Sequence, residues 1–378
     1  MAETFDTIIM GGGLAGLSLS IQLAEAGRQV VVFERNKYPF HRVCGEYVAM
    51  ESWQYLQRIG MPLSAMQLPV INKLQVSTLR GKVLTHTLDP GGFGISRYLL
   101  DATLAAIARS KGVNLMEQCK VEDCEWQGNG FSVMAGGKIL FGKTAVGAFG
   151  KRSNLDKKLH RNMQPNTSLT DSNWVGVKYH ISSDLPAEVI QLHNFDGGYC
   201  GLSKVEGSAY CLCYLTKAGN LKKFDGDIRK MEEHLLAKNP FLARIFSMRS
   251  AFLVKDPITI SQVNFGRKLP VENNILMLGD AAGLVAPLCG NGMSMALHAA
   301  SICFHLLEDY LSGKINRLEL EKNYADSWKK LFSIRLKAGK VLQPLLVNSR
   351  LANPAVTMLK FLPGITGKII SLTHGKSF

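Results

Sequence analysis

Three glycines, Gly11, Gly13 and Gly16, stand in G-x-G-x-x-G spacing after a short apolar run, Ile8 to Met10. Eighteen residues after Gly16 comes an acid, Glu34, at the end of a second apolar run, Val30 to Phe33. This set of residue types suits the binding of a dinucleotide. The glycines allow a tight turn, close approach of backbone to a pyrophosphate, and close packing of a helix on a strand. The carboxylate can accept hydrogen bonds from a ribose. A second group lies far along the chain: Gly279, Asp280, Gly283, Pro287, Gly290 and Gly292 follow the apolar Ile275 to Leu278. An aspartate at a buried strand end, flanked by small residues, lets a polyol chain pass closely and be hydrogen-bonded. The glycines beyond it let backbone approach a flat ring, and the next helix would aim its N-terminus at that ring.

The elements that must position these groups follow from the apolar period. Ile8 to Met10 reads as a buried parallel strand. Leu14, Leu17, Ile21, Leu23 and Ala24 give a helix stopped by Gly27, and Val30 to Phe33 gives the next strand. Tyr47 to Ile59 reads as a helix, and Pro69 to Leu88 as strands turning at Arg80-Gly81. A helix is predicted over Arg97 to Arg109, then a meander around Phe131 and Ile139, and a buried strand over Thr144 to Ala148. From about residue 166 to 270 the text becomes WVGVKYHI, EVIQLHNF, GGYCGLSK and AYCLCYL with one helix near Asp227 to Ala237, the pattern of an antiparallel sheet. A long helix is predicted over Gly292 to Leu311. Beyond Arg317 the chain reads as helical, interrupted at Pro344, Pro354 and Pro363.

The fold class expected is therefore α/β plus antiparallel β: a Rossmann-like domain, an inserted antiparallel-sheet substrate domain and a C-terminal helical tail. The expected division gives the dinucleotide domain residues 1–68, 93–165 and 271–316. The substrate domain takes the hairpin 69–92 and residues 166–270, and the helical region 317–378. A chain of 378 residues exceeds what one core usually supports.

Composition narrows the class. Apolar content of 46% with mixed charge indicates a globular chain. The opening MAETFDT carries acids and does not read as a signal peptide, and no apolar run reaches the eighteen or so residues of a membrane span. Eight cysteines without a CxxC pair argue against a zinc site or disulfide framework and fit a reducing cytoplasm. The net charge of +14 suits an anionic cofactor, an acidic substrate or an anionic membrane. No nucleic-acid motif accompanies it, so no nucleic-acid partner is expected.

Together, GGGLAG…ER and LMLGDAAGLVAPLCGNGM resemble the FAD-binding flavoproteins of the para-hydroxybenzoate hydroxylase fold. That superfamily includes aromatic-ring monooxygenases, flavin-dependent halogenases and geranylgeranyl reductases, and the resemblance covers about residues 5 to 310. It implies FAD as cofactor. Gly11, Gly13, Leu14, Ala15 and Gly16 would cradle the pyrophosphate, Glu34 the adenosine ribose, and Gly279-Asp280 the ribityl chain. Pro287, Gly290, Asn291, Gly292 and Met293 would approach the flavin ring, and Arg35, Arg42 and Arg97 match basic positions near FAD. Arg42-Val43-Cys44-Gly45-Glu46 resembles the R/K-x-C-G loop beside the flavin in the reductases, which makes Cys44 the candidate catalytic residue and Gly45 a cofactor neighbour.

Departures from the family pattern bear on the reaction. The hydroxylases' D-G motif reads Gly147-Ala148-Phe149-Gly150 here, so the aspartate is Phe149 and the electron donor, NAD(P)H or another reductant, stays open. The halogenases' W-x-W-x-I-P is absent, which argues against halogenation. The reductases' Y-x-W-x-F-P falls at Tyr199 to Ser203, with Gly201 in place of tryptophan. His180, His193, Tyr199 and Tyr210 are the acid–base candidates of the substrate sheet. The expected activity is an FAD-dependent oxidoreductase, monooxygenation of a hydrophobic or aromatic small molecule being favoured over alkene reduction. A non-catalytic flavoprotein on a membrane or nucleic acid is the remaining alternative. The basic, apolar tail from Trp328 reads as a cap over the substrate domain or as a peripheral membrane contact.

Overall fold

In the structure, a computed structural model, residues 4–151, 153–161, 173–263, 265–266, 268–284 and 286–378 are described. The expected domain boundary near residue 166 lies outside them. β1 (Thr4–Met10), α1 (Leu14–Glu25) and β2 (Val30–Phe33) form a parallel unit, with Ile8 opposite Val31. Gly27 ends the helix at φ +77°, its N–H donating to the Ala24 carbonyl. Leu14 to Leu23 are all buried, because α1 is enclosed by its sheet and by two other helices.

Next come β3 (Tyr47–Ala49) and α2 (Trp53–Arg58), where the sequence predicts one helix from Tyr47 to Ile59. The helical period fails at its start because Tyr47, Val48 and Ala49 pair with Gly94, Phe93 and Gly92. A Cβ added at Gly92 would lie 2.6 Å from the Tyr47 ring, so glycine makes that pairing possible. Pairing across the sheet outweighs a weak local preference. The hairpin β4 (Val70–Ser77) and β5 (Val83–Gly94) turns through Gly81 at φ +73°. α3 (Arg97–Ser110) is capped by Ser96, which accepts from the Leu99 N–H at 3.1 Å. β6 (Asn114–Met116) precedes the meander β7 (Val121–Trp126), β8 (Phe131–Ala135) and β9 (Lys138–Gly147), and α4 (Asn154–Lys158) follows.

β10 (Trp174–Ser182), β11 (Val189–Phe195), β12 (Gly198–Lys204) and β13 (Ala209–Lys217) come next. Then α5 (Ala218–Lys222), α6 (Ile228–His234), α7 (Pro240–Ser247) and β14 (Ile258–Val263) complete that region. β15 (Val271–Glu272) and β16 (Ile275–Met277) lead to α8 (Gly292–Leu311), then α9 (Arg317–Val347), α10 (Ser349–Phe361) and α11 (Pro363–Ser371).

The first sheet runs β15-β16-β9-β1-β2-β6, with β7 and β8 joined through β9. The second runs β14-β10-β13-β12-β11-β4-β5-β3. It is antiparallel except where β11 meets β4 in parallel, a junction the sequence did not announce. Alternation sorts its two faces. Val177, Tyr179, Leu202, Leu212 and Tyr214 pack on Met231, Leu236, Leu242 and Phe246 of the adjacent helical segments. The opposite face carries Trp174, Tyr199 and Leu215 against Leu346, Val347 and Val356 of the C-terminal helices.

Pro344 and Pro354 lie inside α9 and α10 rather than ending them. The breaks fall at Asn348, whose side chain accepts from the Arg350 N–H, and at Leu362, ahead of Pro363 at the start of α11. Proline in a helix removes one donor, and these helices gain enough tertiary contact to absorb that loss. Val347 accepts from the Gly197 N–H at 3.1 Å, Tyr324 donates to the Met277 carbonyl at 2.7 Å, and Phe378 stacks on His298 at 4.0 Å.

Candidate functional site

The parallel strands β16, β9, β1 and β2 end side by side, and the glycine loop begins there. Gly11 has φ +119°, and an added Cβ would lie 2.4 Å from the Ala148 carbonyl oxygen. A Cβ at Gly16 would lie 2.1 Å from the Gly11 carbonyl oxygen. Those two glycines are required by packing between α1 and the strand ends. Gly13 differs: its nearest neighbour would be Arg97 Nη2 at 3.8 Å, so that side of the loop is open. Gly13 is also the N-cap of α1 and has no side chain to satisfy the N–H groups of Leu14, Ala15 and Gly16. An uncapped helix start beside an open glycine is what an anionic pyrophosphate needs.

Glu34 is 4% exposed. Its carboxylate accepts from Arg42 Nη2 at 2.9 Å and from the backbone and side-chain nitrogens of Asn36 at 3.0 Å. Arg42 Nε donates to Asp101 at 3.0 Å, and Arg97 donates twice to Asp101 at 2.7 Å. Thus Glu34, Arg42, Asp101 and Arg97 form one charge network around the glycine loop. Arg35 is exposed and takes no part in it. Tyr38 adds a hydroxyl donated to the Gly12 carbonyl. Asp101 and Tyr38 are absent from the sequence candidates, although Asp101 stands four residues after Arg97, at ion-pair spacing on a helix.

Asp280 lies in a single 3-10 turn directly after β16. A Cβ at Gly279 would lie 3.3 Å from Ala296 of α8 and 3.8 Å from Ala15 of α1, so the two glycine-rich segments meet. A small pocket there is lined by Gly279, Asp280, Gly283, Gly292, Met295 and Trp328. Behind it, Arg161 pairs with Asp156 at 2.9 Å and Glu272 at 2.6 Å and donates to the Ala281 carbonyl at 3.0 Å, which fixes the turn.

Pro287 is exposed, and Gly290 turns at φ +67° against the Tyr47 ring. Asn291 donates to the Thr373 carbonyl, which ties the loop to the segment after α11, but its Oδ1 is buried without a partner among the described residues. The Ser294 hydroxyl next to buried Met293 is in the same state. Orphaned buried polar atoms are rare. Two of them stand at the start of α8, which has no side-chain cap.

The Arg42–Glu46 loop is fastened to the second sheet. Lys178 donates to the Arg42 carbonyl at 3.3 Å, Cys211 to that of Cys44 at 3.2 Å, and Ser203 to that of Gly45 at 3.0 Å. Glu46, fully buried and at φ +56°, is the hub. It pairs with Lys178, bonds His180 Nε2 at 2.6 Å, and accepts from the Arg97 N–H at 2.7 Å. Burial pushes the Glu46 carboxyl up, but the His180 bond and the Lys178 ammonium outweigh it and hold it below the ordinary carboxylate value. Glu46, His180 and Cys211 could in geometry approach one cation, yet Lys178 already supplies the positive charge there. Cys44 is half-buried and Gly45 exposed. The Cys213 thiol is pushed up to about 12 by burial and by Cys44, and that of Cys289 to about 12 by burial, so both stay protonated at neutral pH.

Among the acid–base candidates, His193 is buried, bonded to Ser77 and Gln191, and lies on strand β11 far from this loop in hydrogen-bond terms. Tyr210 donates to the Leu185 carbonyl. Only His180 joins the loop network directly. Tyr199 is buried on the same face of the sheet, with its hydroxyl unpartnered among the described residues.

Two meeting glycine segments, a buried carboxylate at the β2 end and a second carboxylate after β16 define a dinucleotide-binding flavoprotein. The chain belongs to the FAD binding domain family, whose sequence model matches residues 4–325, and its cofactor is FAD. A digeranylgeranylglycerophospholipid reductase of Methanococcus vannielii is 23% identical over 91% of this chain and 88% of its own length. Two solved structures share the fold. The flavin-dependent brominase Bmp2 is 18% identical, covers 98% of this chain and 93% of its own, and has a TM-score of 0.77. PqsL of Pseudomonas aeruginosa, a probable FAD-dependent monooxygenase, is 19% identical over 93% of this chain and 99% of its own, with a TM-score of 0.72. The chain is thus an FAD-dependent oxidoreductase by family, of the para-hydroxybenzoate hydroxylase fold.

Proposed function

We propose that this chain is a flavin monooxygenase acting on a hydrophobic or aromatic small molecule. The observation that carries the reading is the sheet face turned toward the FAD loops. Its middle is Gly201 and Cys213, where a Cβ at Gly201 would meet nothing nearer than 3.6 Å. Its end is the apolar group Tyr199, Leu215 and Leu192, with Leu288 of the Pro287–Cys289 turn packed against it and the C-terminal helices covering it. A face of this composition suits an apolar molecule and would keep water from it.

FAD supplies the electron chemistry when bound. In this reading Gly11, Gly13 and Gly16 with the α1 N-terminus hold the pyrophosphate, Glu34 the ribose and Asp280 the ribityl chain. The uncapped N-terminus of α8 favours negative charge at the flavin's polar edge. His180, with Nε2 bonded to Glu46, keeps Nδ1 for a proton at the border of the loop and the sheet. The electron donor is NAD(P)H or another small reductant, and Phe149 stands where the hydroxylases place an aspartate. An apolar substrate partitions into membranes, so a cytoplasmic enzyme touching the membrane from outside belongs to the same reading. All eight cysteines are free, which suits a reducing compartment, and no helix among the described residues is long and apolar enough to cross a membrane.

A second reading, alkene reduction, is favoured by the fastening of the Arg42–Glu46 loop and by the reductase named above. Reduced holoenzyme with candidate apolar aromatics and isoprenoids, given labelled dioxygen, separates the two. Monooxygenation predicts one labelled oxygen in the product and substrate-dependent oxygen uptake. Saturation of a double bond under anaerobic conditions would overturn it in favour of reduction.

A further inference from the structure

From Ser327 to Phe378 the chain holds nine lysines and arginines and no aspartate or glutamate. One of the nine, Arg335, is buried and paired with Glu51 at 2.7 Å. The other eight, from Lys329 to Lys376, are all exposed, and none has an ion pair among the described residues. Seven of the eight lie on α9–α11 and Lys376 follows them, so charge equal to half of the net +14 sits uncompensated on the last helices.

The same helices expose large apolar side chains on their outer faces. On α9, Ile334, Val341 and Leu345 are 58%, 65% and 37% exposed, at spacings of seven and four that keep them on one side. The other side of α9 is buried through Tyr324, Trp328, Phe332, Gly339 and Leu346. On α10 the outward residues are Leu351, Met358 and Phe361, the last 76% exposed. Ile365 on α11 and Leu372 just after it continue the pattern. A helix that only caps a domain needs one apolar face. These have a second, interleaved with Lys337, Lys340, Lys360 and Lys368.

Three occupants could meet such a surface. Nucleic acid would be drawn by the lysines, and its bases could stack on Phe361, but it offers nothing to the protruding aliphatic Ile334, Val341 and Leu345. A second copy of the chain would cover the apolar residues but would set eight unpaired cations against eight. An anionic lipid bilayer satisfies both features, taking apolar side chains at the acyl boundary while lysines reach the phosphates. We propose that α9–α11 form a peripheral docking surface for an anionic phospholipid bilayer. The inner face of α9 and α10 covers the apolar sheet face through Leu346, Val347 and Val356, so docking places the bilayer one helix away from it. That last consequence, delivery of an apolar substrate, rests on the function proposed above; the docking itself does not.

The test uses FAD-loaded full-length protein sedimented with vesicles of phosphatidylcholine, with and without phosphatidylglycerol. Binding is expected to rise at least about tenfold with the anionic lipid and to weaken in high salt, as lysine–phosphate attraction requires. The variant Ile334→Ser/Val341→Ser/Phe361→Ser should lose about tenfold in vesicle binding with unchanged flavin content and thermal midpoint. Lys337→Gln/Lys340→Gln/Lys360→Gln should lose its preference for anionic lipid. If a triple variant folds poorly, Phe361→Ser alone gives the apolar arm. No binding to anionic vesicles, or binding indifferent to the apolar substitutions, overturns the proposal. So does a concentration-dependent dimer abolished by the apolar variant, or binding to RNA that displaces the vesicles. Vesicle binding without turnover of any apolar substrate leaves docking standing and defeats only the substrate reading.

Discussion

Gly13 and Gly16 belong to one motif but do different physical work, and two alanine substitutions separate them. At Gly16 an added Cβ would lie 2.1 Å from the Gly11 carbonyl oxygen and 3.1 Å from Ile9 Cγ2. A carbon and an oxygen rest at about 3.3 Å or more, so α1 would have to retreat by roughly 1 Å. Overpacking of this kind costs about 1–3 kcal/mol of folding stability. It also displaces the α1 N–H groups proposed to hold the pyrophosphate. Gly13→Ala meets no such obstacle, because its backbone is extended at φ −87° and ψ −173° and its nearest neighbour is 3.8 Å away. Its stability should change by less than about 1 kcal/mol, the scale of an N-cap substitution. The new methyl group, however, fills the open side of the loop. FAD affinity should fall at least about tenfold, equivalent to about 1.4 kcal/mol. Thermal unfolding of the apoprotein and fluorescence titration with FAD read the two quantities separately. Gly13→Ala with unchanged FAD affinity would show that the pyrophosphate does not approach Gly13. Gly16→Ala with unchanged stability would show that the close contact with Gly11 is not what demands glycine.

Glu34→Ala removes a buried acceptor, and FAD binding should weaken by about 1.5–3 kcal/mol for each charge-assisted bond lost; an unaltered dissociation constant would move the ribose elsewhere. Glu46→Ala leaves the Lys178 ammonium buried without its partner, so a loss of about 3–5 kcal/mol in denaturant unfolding is expected, partly restored by adding Lys178→Met. A neutral single variant would mean that the pair does not form. Burial lowers His193 to about 4 from 6.5, so the folded protein keeps it neutral while the unfolded chain takes up a proton first. Stability should therefore fall as pH drops from about 6.5 to about 4 and level off below, by about 3 kcal/mol from this residue. His193→Gln should flatten that limb, and an identical pH profile in the variant would refute the assignment.

The elements around the candidate site were legible in the sequence where their parts are local. The glycines, the helix stop at Gly27 and the acid at Glu34 lie within one βαβ unit, and α8 begins and ends at the predicted Gly292 and Leu311. What escaped it depends on distant partners. Glu46 sits inside the quoted RVCGE loop, yet its role comes from Lys178 and His180, more than a hundred residues away in the chain. Tyr47 to Ala49 carry apolar residues compatible with helix or strand, and only the glycines of β5 decide between them. Pro344 and Pro354 read as breaks because proline weakens helices locally, whereas packing on the second sheet keeps α9 and α10 intact. The charge network of Arg42, Asp101 and Arg97 was half visible, as two arginines without the aspartate that joins them.

In the proposed arrangement one FAD spans the meeting of the two glycine segments, with Glu34 at one end and Asp280 at the other. Denaturing the purified yellow protein and chromatographing what it releases tests this most directly. FAD is expected at close to one per chain. Release of FMN, or a protein that takes up no flavin on reconstitution, would contradict it.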